Sequence, residues 1–225
     1  MELSDRSNYK KTWEDLSQDF ETAQHYVAGH NDETEFERSA QVTLGVLRET
    51  VGVKDSDDFL EIGCGVGRVG KVLSPIVKSW TGSDISSGMV KQAGSYLEAC
   101  DNVSLVHLER SSLSQFQDES FDVVYCTVVF MHLLEWDRYR YVSEALRILK
   151  PGGRIYFDNV DIRSDHGWKV FTDGYNIPVE KRPAQISMVS SADELLTYGE
   201  KAGFENCRIH RWGGAWVALV ANKPE

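Results

Sequence analysis

The stretch Phe59-Leu-Glu-Ile-Gly-Cys-Gly-Val-Gly-Arg-Val-Gly70 decides the fold, and the chain continues from it as Lys71-Val-Leu-Ser-Pro-Ile-Val-Lys78. An apolar run is followed by closely spaced glycines and then by a segment of helical character. Glycine adopts backbone conformations that other residues avoid, and without a Cβ atom it lets the main chain approach a ligand closely. The stretch therefore predicts a buried strand, a tight turn facing a ligand, and the start of a helix.

Strand-like and helical segments alternate downstream of this stretch. Strands are predicted at 59–62, 79–84, 103–108, 121–126 and 154–158, and helices at 68–78, 87–99, 136–149 and 191–202. Such alternation predicts βαβ units and a parallel sheet with right-handed crossovers. The segment 206–221 holds two strand-like runs separated only by Gly213-Gly214. Because a hairpin cannot join parallel neighbours, the last strand is predicted to run antiparallel to the rest.

The chain before the glycine stretch has a different pattern. Apolar residues recur at helical spacing in 9–20 and 36–51, and 25–33 is predicted to be a loop. We expect residues 1–55 to form a helical cap and residues 56–225 to form one compact α/β domain, with an excursion at about 160–190 on the ligand-binding edge. Two interpretations of the cap remain open: it covers one edge of the sheet, or its aromatic residues close over a ligand.

Composition narrows the function class. The 225 residues suffice for one α/β domain, and the formal net charge of -11 disfavours nucleic acid and anionic membranes as partners. The four cysteines show no metal-ligand spacing, so neither a structural zinc nor any other metal site is predicted. Residues 1–6 lack a signal-peptide pattern and no apolar run reaches membrane-spanning length, so a cytoplasmic location is expected. Oligomeric state is left open.

Three acidic residues fall at or near the ends of successive predicted strands: Glu61, Asp84 and Glu109. Asp84 lies about 20 residues beyond the glycines, where a carboxylate accepts hydrogen bonds from both ribose hydroxyls. Glu61 would repel the pyrophosphate of NAD but stabilise the ammonium and sulfonium groups of S-adenosylmethionine. The pattern therefore favours S-adenosylmethionine. Two simpler interpretations stay open: Asp84 caps the next helix, and Glu109 is a solvated loop acid.

Four motifs together resemble those of the class I S-adenosylmethionine-dependent methyltransferases. They are Leu60-Glu-Ile-Gly-Cys-Gly-Val-Gly67, Gly82-Ser-Asp-Ile-Ser86, Ser120-Phe-Asp-Val-Val-Tyr125 and Leu149-Lys-Pro-Gly-Gly153, in the family's order and at its usual separations. The resemblance covers about residues 55–221. It implies a Rossmann-like three-layer α/β sandwich whose seven-stranded, mostly parallel sheet has its last strand antiparallel.

The resemblance also implies a role for each matched residue. Glu61 and the backbone of Gly63, Cys64, Gly65 and Gly67 would hold the methionine part of S-adenosylmethionine, and Arg68 would complete this set. Asp84 would bind the ribose, and Ile85 would pack on the adenine. Glu109, Arg110 and Ser111 would lie at the adenine edge, although the family's common Gly-Asp pair is replaced here by Leu108-Glu109. Cys126 would contribute backbone near the methionine part.

The methyl acceptor is constrained less closely. His132 follows the fourth strand, so we expect it at the methyl end of the cofactor, either as a base or substrate contact or as a structural histidine. Candidate acceptor contacts are Asp158, Asn159, Trp168, Tyr175 and Arg182. The expected partner is a small molecule methylated on oxygen or nitrogen, and less favourably on carbon. Two alternatives are a non-catalytic S-adenosylmethionine-binding protein and, less favoured, an NAD-dependent oxidoreductase.

Overall fold

The computed structural model describes residues 8–28 and 32–225, and its central feature is a seven-stranded sheet. The strands are β1 (Asp58–Ile62), β2 (Ser79–Asp84), β3 (Val103–His107), β4 (Phe121–Cys126), β5 (Leu149–Val160), β6 (Glu205–Trp212) and β7 (Trp216–Asn222). Their order across the sheet is β3-β2-β1-β4-β5-β7-β6. The pairs from β3 through β5 are parallel, and β7 runs antiparallel to both β5 and β6. The predicted fold class and the antiparallel last strand are confirmed.

Helices lie before the sheet and between its strands. They are α1 (Tyr9–Asp15), α2 (Phe20–Ala28), α3 (Glu33–Thr50), α4 (Arg68–Leu73), α5 (Ser87–Tyr96), α6 (Glu135–Ile148), α7 (Asp165–Asn176) and α8 (Ala192–Ala202). Short 3-10 turns occupy Ser74–Ile76, Phe130–His132 and Val179–Lys181. The described part of the N-terminal region is thus helical, as predicted.

Some predicted boundaries are wrong for local reasons. The helix predicted at 68–78 ends at Leu73, because Pro75 cannot continue an α-helix and lies in the 3-10 turn instead. The first helix predicted at 9–20 divides into two, since the Asp19 side chain accepts the Thr22 N–H and so starts α2. Residues 25–28 belong to α2 rather than to the predicted loop, and residues 29–31 of that loop lie outside the described residues.

The core is divided between the two faces of the sheet. Alternate residues of a strand point to opposite faces, so Leu60 and Ile62 pack with α6 and α8, whereas Phe59 packs with α3 and α4. Glu61 shares the face of Phe59, where its strand neighbours are aromatic residues such as Tyr125. An acidic side chain is therefore buried inside an apolar layer.

Strand order also fixes where a ligand can bind. β1 pairs with β2 on one side and with β4 on the other. The strands that follow β1 in the chain therefore lie on one side of it up to β3 and on the other side from β4 onward. Open α/β sheets bind ligands beyond the carboxyl ends of the strands at this reversal. The glycine turn after β1 lies at that point.

Candidate active site

A cleft at the carboxyl edge of the sheet is lined by half of the predicted site residues. It has about 830 Å³ of empty space and lies between the glycine turn, the ends of β2 and β4, the 3-10 turn at Phe130–His132, and helices α1 and α2. The predicted site residues that line it are Glu61, Gly63, Cys64, Gly65, Arg68, Asp84, Ile85, Ser111 and His132. These residues are separated by up to 71 positions in the chain, yet the topology brings them together.

The glycine turn is held in a conformation that requires glycine. Gly63 and Gly65 have φ values of 71° and 53°, in the left-handed region. The N–H groups of Gly63 and Cys64 both donate to the Ser83 carbonyl, at 2.7 and 3.0 Å, which ties the turn to the end of β2. A Cβ atom at Gly65 would lie 2.7 Å from the Val27 side chain. The turn therefore approaches α2 more closely than any other residue type would permit.

Asp84 ends β2 and is 7% exposed. Its Oδ2 accepts the Gly65 N–H and its Oδ1 accepts the Ser86 N–H, both at 2.9 Å. Burial raises the pKa of Asp84, while these backbone donors act in the opposite direction. The helix-capping interpretation is not supported, because Ser86 is the N-cap of α5 and its side chain accepts the Met89 N–H. Each carboxylate oxygen keeps capacity for a further donor.

Glu61 lies deeper in the cleft and is 3% exposed. The Tyr125 hydroxyl donates to its Oε2 at 2.5 Å, and the Trp80 indole N–H donates to the Tyr125 hydroxyl at 2.9 Å. Burial raises the pKa of Glu61 to about 8; Tyr125 and the Arg68 charge oppose this rise, and the Asp84 charge adds to it. A cationic group entering the cleft would favour the ionised carboxylate.

Arg68 supplies positive charge to the same region. It opens α4, and its side chain is 7% exposed and lines the cleft. Its Nη1 donates to the Ser39 hydroxyl at 3.1 Å, whereas its buried Nε has no hydrogen-bond partner among the described residues. A buried guanidinium with an unused donor is suited to an anionic group. Glu61 and Arg68 together thus offer the two charges that complement an amino acid.

His132 lies at the other wall of the cleft, in the 3-10 turn after β4. Its Nδ1 is 3.0 Å from the Gln185 carbonyl oxygen, and its ring contacts Trp13 edge-on with 4.9 Å between centroids. Because a carbonyl oxygen only accepts, Nδ1 carries a proton and Nε2 is the basic nitrogen of the neutral ring. His132 is thus oriented by two segments remote in sequence.

Helix α1 is fastened over the cleft. The Glu14 carboxylate accepts hydrogen bonds from the hydroxyls of Ser86 and Ser87, at 2.9 and 2.6 Å, and from the Gly88 N–H at 3.3 Å. These bonds lower the pKa of Glu14, led by the one from Ser87. Tyr9, Trp13 and Tyr26 from α1 and α2 line the cleft. The interpretation in which aromatic residues of the cap close over the site agrees with this arrangement.

Comparison with known proteins agrees with this geometry. A family model described as a methyltransferase domain matches residues 60–157. Human arsenite methyltransferase is 33% identical over 115 residues, 45% of this chain and 30% of that protein. A ubiquinone biosynthesis O-methyltransferase from Idiomarina loihiensis is 29% identical over 182 residues, 75% of this chain and 70% of that protein. Over residues 60–157 the chain is similar to class I S-adenosylmethionine-dependent methyltransferases, and these matches support that family.

A solved structure shows the same fold. The Thermotoga maritima protein described as an S-adenosylmethionine-dependent methyltransferase, possible histamine N-methyltransferase, superposes with a TM-score of 0.67 at 22% identity, covering 89% of this chain and 97% of that one. The matched region spans only 30% of the human relative's length. Among residues 8–28 and 32–225, none of the helices has the length and apolar character needed to cross a membrane.

The residues of the cleft fit the family's cofactor, S-adenosylmethionine. The unused Nε donor of Arg68 is buried at the wall of the cleft, and the Glu61 carboxyl lies in the same region. Gly63 and Gly65 have no side chains, so the turn leaves open the space that a Cβ atom would occupy at these two positions. The donor set contains a carboxyl group for an ammonium, a guanidinium for a carboxylate, and a second carboxyl group for hydroxyls.

Several predicted site residues lie outside the cleft. Glu109 and Arg110 are exposed beyond the end of β3, and the Glu109 N–H donates to the Gln115 side chain. Gly67 is the N-cap of α4, and Cys126 is fully buried at the end of β4; neither lines the cleft. Burial raises the pKa of the Cys126 thiol well above its usual value, so this thiol is not an activated nucleophile.

The candidate acceptor residues on β5 do not line the cleft either. Asp158 accepts the Val128 N–H at 2.9 Å and the Tyr156 hydroxyl at 3.1 Å. Burial raises the pKa of Asp158 to about 7. The Asn159 side-chain amide donates to the Ser190 hydroxyl at 2.7 Å. Asp158 and Asn159 thus stabilise the loops behind the site rather than lining it.

The remaining candidates lie on the excursion after β5. Tyr175 and Arg182 line a second, more open groove between α7 and residues 179–189. Trp168 is half exposed and stacks on Phe171, with 5.3 Å between ring centroids. The structure therefore brings none of Trp168, Tyr175 or Arg182 to the cleft that holds Glu61 and Asp84.

Other lining residues were not identified from the sequence. Tyr9, Tyr26 and Val27 come from the cap, and Thr127 and Val128 from the loop after β4. Helical spacing predicted that α1 and α2 exist, but not which of their faces meets the cleft. Tyr125 was identifiable in principle, because the two-residue period of β4 places it beside Glu61 of β1.

Proposed function

We propose that this protein is an enzyme that transfers the methyl group of S-adenosylmethionine to a small-molecule acceptor, on oxygen or nitrogen and less favourably on carbon. The observation that carries the proposal is the convergence of Glu61, Arg68 and Asp84 around one glycine turn. Their charges match an amino acid at one end of the cleft and a ribose at the other. The match of residues 60–157 to a methyltransferase domain supports the same reaction.

Each group of the cofactor has a proposed partner in this chain. Asp84 accepts hydrogen bonds from the ribose hydroxyls, and Ile85, the next residue, packs on the adenine. Glu61 and the Gly63 turn hold the ammonium group, and the unused donor of Arg68 holds the carboxylate. Ser111 lies beyond β3, on the side proposed for the adenine edge. Glu109 has no proposed contact, since its side chain is exposed.

The cofactor supplies an electrophilic methyl group on a sulfonium whose leaving group is a neutral thioether. Displacement needs an acceptor held in line with the carbon–sulfur bond, and it needs no acid for the leaving group. In our proposal the acceptor lies beside the contacting rings of His132 and Trp13, beyond the methionine end of the cofactor. When the His132 ring is neutral, its proton lies on Nδ1, so Nε2 is the nitrogen that would act as the base for a hydroxyl or ammonium acceptor.

A small acceptor is supported by the lining of the cleft. Tyr9, Trp13 and Leu133 form an apolar wall, and Glu14 fastens the helix that carries the first two residues. A cleft closed in this way suits a compact molecule better than a polymer. The formal net charge of -11 further disfavours nucleic acid as the acceptor. The relatives act on substrates as different as arsenite and a ubiquinone precursor by their names, so the acceptor's identity rests on experiment.

Two measurements test the proposal in sequence. Calorimetry with S-adenosylmethionine and with NAD should detect the first cofactor and not the second; NAD binding without S-adenosylmethionine binding would contradict the proposed cofactor. The protein is then incubated with S-adenosylmethionine and a metabolite extract, and mass spectrometry should detect a product one methyl group heavier. Cofactor binding without any such product across fractionated extracts would favour a non-catalytic binding protein.

A further inference from the structure

Arg138 is a buried arginine of α6 that lies directly behind His132. Its side chain is 1% exposed. Its Nε donates to the carbonyl oxygens of Phe130 and Leu133, at 2.8 and 3.0 Å. These carbonyls begin and follow the 3-10 turn that carries His132. One guanidinium nitrogen thus fixes both ends of the turn.

The other side of the guanidinium reaches a second segment. Nη1 of Arg138 donates to the Ser190 hydroxyl at 2.9 Å and to the Glu194 carboxylate at 3.0 Å. Ser190 also accepts the Asn159 amide and precedes the N-cap of α8. Arg138 therefore joins the turn after β4 to the chain that leads into α8.

That second segment is the one that orients the His132 ring. Its Gln185 carbonyl lies 3.0 Å from Nδ1 of His132, and its Met188 N–H donates to the Met131 carbonyl at 2.7 Å. Arg138 therefore bridges the turn that carries His132 and the segment that orients its ring. A shift of either segment would change the position of the ring relative to Trp13.

Burial of a guanidinium adds little net stability to a folded protein. Desolvation of a charged pair cancels much of its Coulombic attraction, and apolar residues of similar size are often as stabilising. Arg138 is left with Nη2 buried and without a hydrogen-bond partner in the described structure. The donors that are satisfied are those that reach the two segments around His132. We therefore attribute the burial of Arg138 to its effect on the positions of these two segments rather than to stabilisation of the fold.

We propose that Arg138 is a positioning residue that sets the place of His132 at the methyl end of the cleft. The inference rests on the proposed function, because it assumes that the acceptor meets His132 there. Arg138 does not line the cleft and touches neither cofactor nor acceptor in this arrangement. The planar guanidinium of Arg138 donates hydrogen bonds in two directions. A lysine has a single ammonium group, so it cannot hold both segments.

The experiment compares Arg138→Met with a matched control, Arg154→Met. Arg154 also holds a backbone carbonyl and a carboxylate, those of Val51 and Asp57, but at the opposite edge of the sheet. Histidine ring signals are followed by NMR in the whole protein, with and without S-adenosylmethionine, and the His132 signal is assigned with His132→Gln. Thermal unfolding and calorimetry with S-adenosylmethionine are measured on every variant.

The expected result separates positioning from stability. Both arginine variants should lower the unfolding temperature, but only Arg138→Met should shift the His132 signal and abolish the Overhauser contact between His132 and Trp13. S-adenosylmethionine affinity should stay within about twofold of wild type in both, because neither arginine lines the cleft. An unchanged His132 signal and an intact contact to Trp13 in Arg138→Met would overturn the inference.

A second variant covers the case in which Arg138→Met does not fold. Arg138→Lys keeps the buried charge near Glu194 but not the fork, so it should fold and still weaken the contact between His132 and Trp13. Retention of the full wild-type His132 signal in Arg138→Lys would overturn the inference equally. Failure of wild type to bind S-adenosylmethionine would instead contradict the proposed function and leave the His132 readout interpretable by itself.

Discussion

The Tyr125 hydroxyl donates to Oε2 of Glu61 at 2.5 Å, inside the apolar layer beneath the glycine turn. Trp80 in turn donates to the same hydroxyl, so the carboxyl group is oriented by two aromatic residues on neighbouring strands. Burial raises the pKa of Glu61 to about 8, which leaves it mostly neutral near pH 7 in the absence of a cation. The charge of this group is therefore coupled to what occupies the cleft.

The first prediction is that S-adenosylmethionine binding releases a proton from Glu61. The cofactor's cationic groups stabilise the carboxylate and lower its pKa, so affinity should rise with pH below about 8, by up to about tenfold per pH unit. The range from about pH 5.5 to 7 is the informative one, because a free α-amino group titrates only near 7.7–8.0. Calorimetry in buffers with different ionisation enthalpies measures the released proton.

Glu61→Gln provides the control for this prediction. The amide is neutral at every pH, so the variant should bind more weakly and lose most of the pH slope. An equal slope in wild type and Glu61→Gln would assign the proton to another group.

The second prediction concerns stability without the cofactor. Glu61 and Asp158 have pKa values of about 8 and about 7 in the folded protein, above their ordinary values of 4.5 and 3.8. Between about pH 5 and 8 the folded state therefore binds more protons than the unfolded state, and stability is lost as pH rises through this range. Each carboxyl contributes at most about 1.4 kcal/mol per pH unit to the slope.

Denaturant unfolding at several pH values measures this slope directly. Glu61→Gln and Asp158→Asn should each flatten it, because an amide does not titrate. A wild-type unfolding free energy that increases between pH 5 and 8 would show that one or both carboxyls are ionised in the folded protein.

The third prediction is that Asp84→Ala prevents cofactor binding. The carboxylate is proposed to hold both ribose hydroxyls, and two hydrogen bonds to a charged group correspond to about a hundredfold or more in affinity. Titration calorimetry measures the loss. Asp101→Ala, at an exposed carboxylate in the loop after α5, removes the same charge from the surface and should bind as wild type does. Asp84→Ala binding within a few fold of wild type would remove the ribose assignment.

The fourth prediction concerns His132 once an acceptor has been found. His132→Gln keeps a hydrogen-bond donor for the Gln185 carbonyl but has no titratable nitrogen. Turnover should fall by about a hundredfold, the lower end of the range typical of general-base catalysis, and its pH dependence near neutrality should disappear. S-adenosylmethionine affinity should be nearly unchanged. Turnover with the wild-type pH profile would make His132 a structural residue.

The sheet and its glycine turn were predictable because their signals are local. Ser79–Asp84 and Phe121–Cys126 are strands with the predicted bounds, and the second of them is a largely apolar run. β5 is longer than predicted, Leu149–Val160, because Leu149 pairs with Phe121 of β4 at one end and β7 pairs as far as Val160 at the other. Pairing partners contribute to strand length but leave no mark on the strand's own sequence.

The positions of candidate site residues were predictable where those residues lie within a strand. Glu61 and Asp84 lie within their strands, so strand position alone fixes their place at the sheet edge. Glu109 lies two residues beyond β3, and its position depends on how the loop folds back, with the Ser112 N–H bonded to the Arg110 carbonyl. Arg138 could not be identified, because its partners are backbone carbonyls and a residue 52 positions away.

The last prediction concerns the closure of the cleft by α1. Ionised Glu14 accepts three hydrogen bonds at the start of α5, where the helix dipole also favours negative charge. Glu14→Gln removes that charge and should weaken the fastening by about 1.5 kcal/mol, so S-adenosylmethionine should dissociate about tenfold faster and amide exchange in α1 should accelerate. Stopped-flow displacement and hydrogen exchange measure the two effects. Asp15→Asn, which changes an exposed ion pair with Lys11 on the same helix, should alter neither; equal effects in both variants would mean that helix stability, not the contact with α5, controls access.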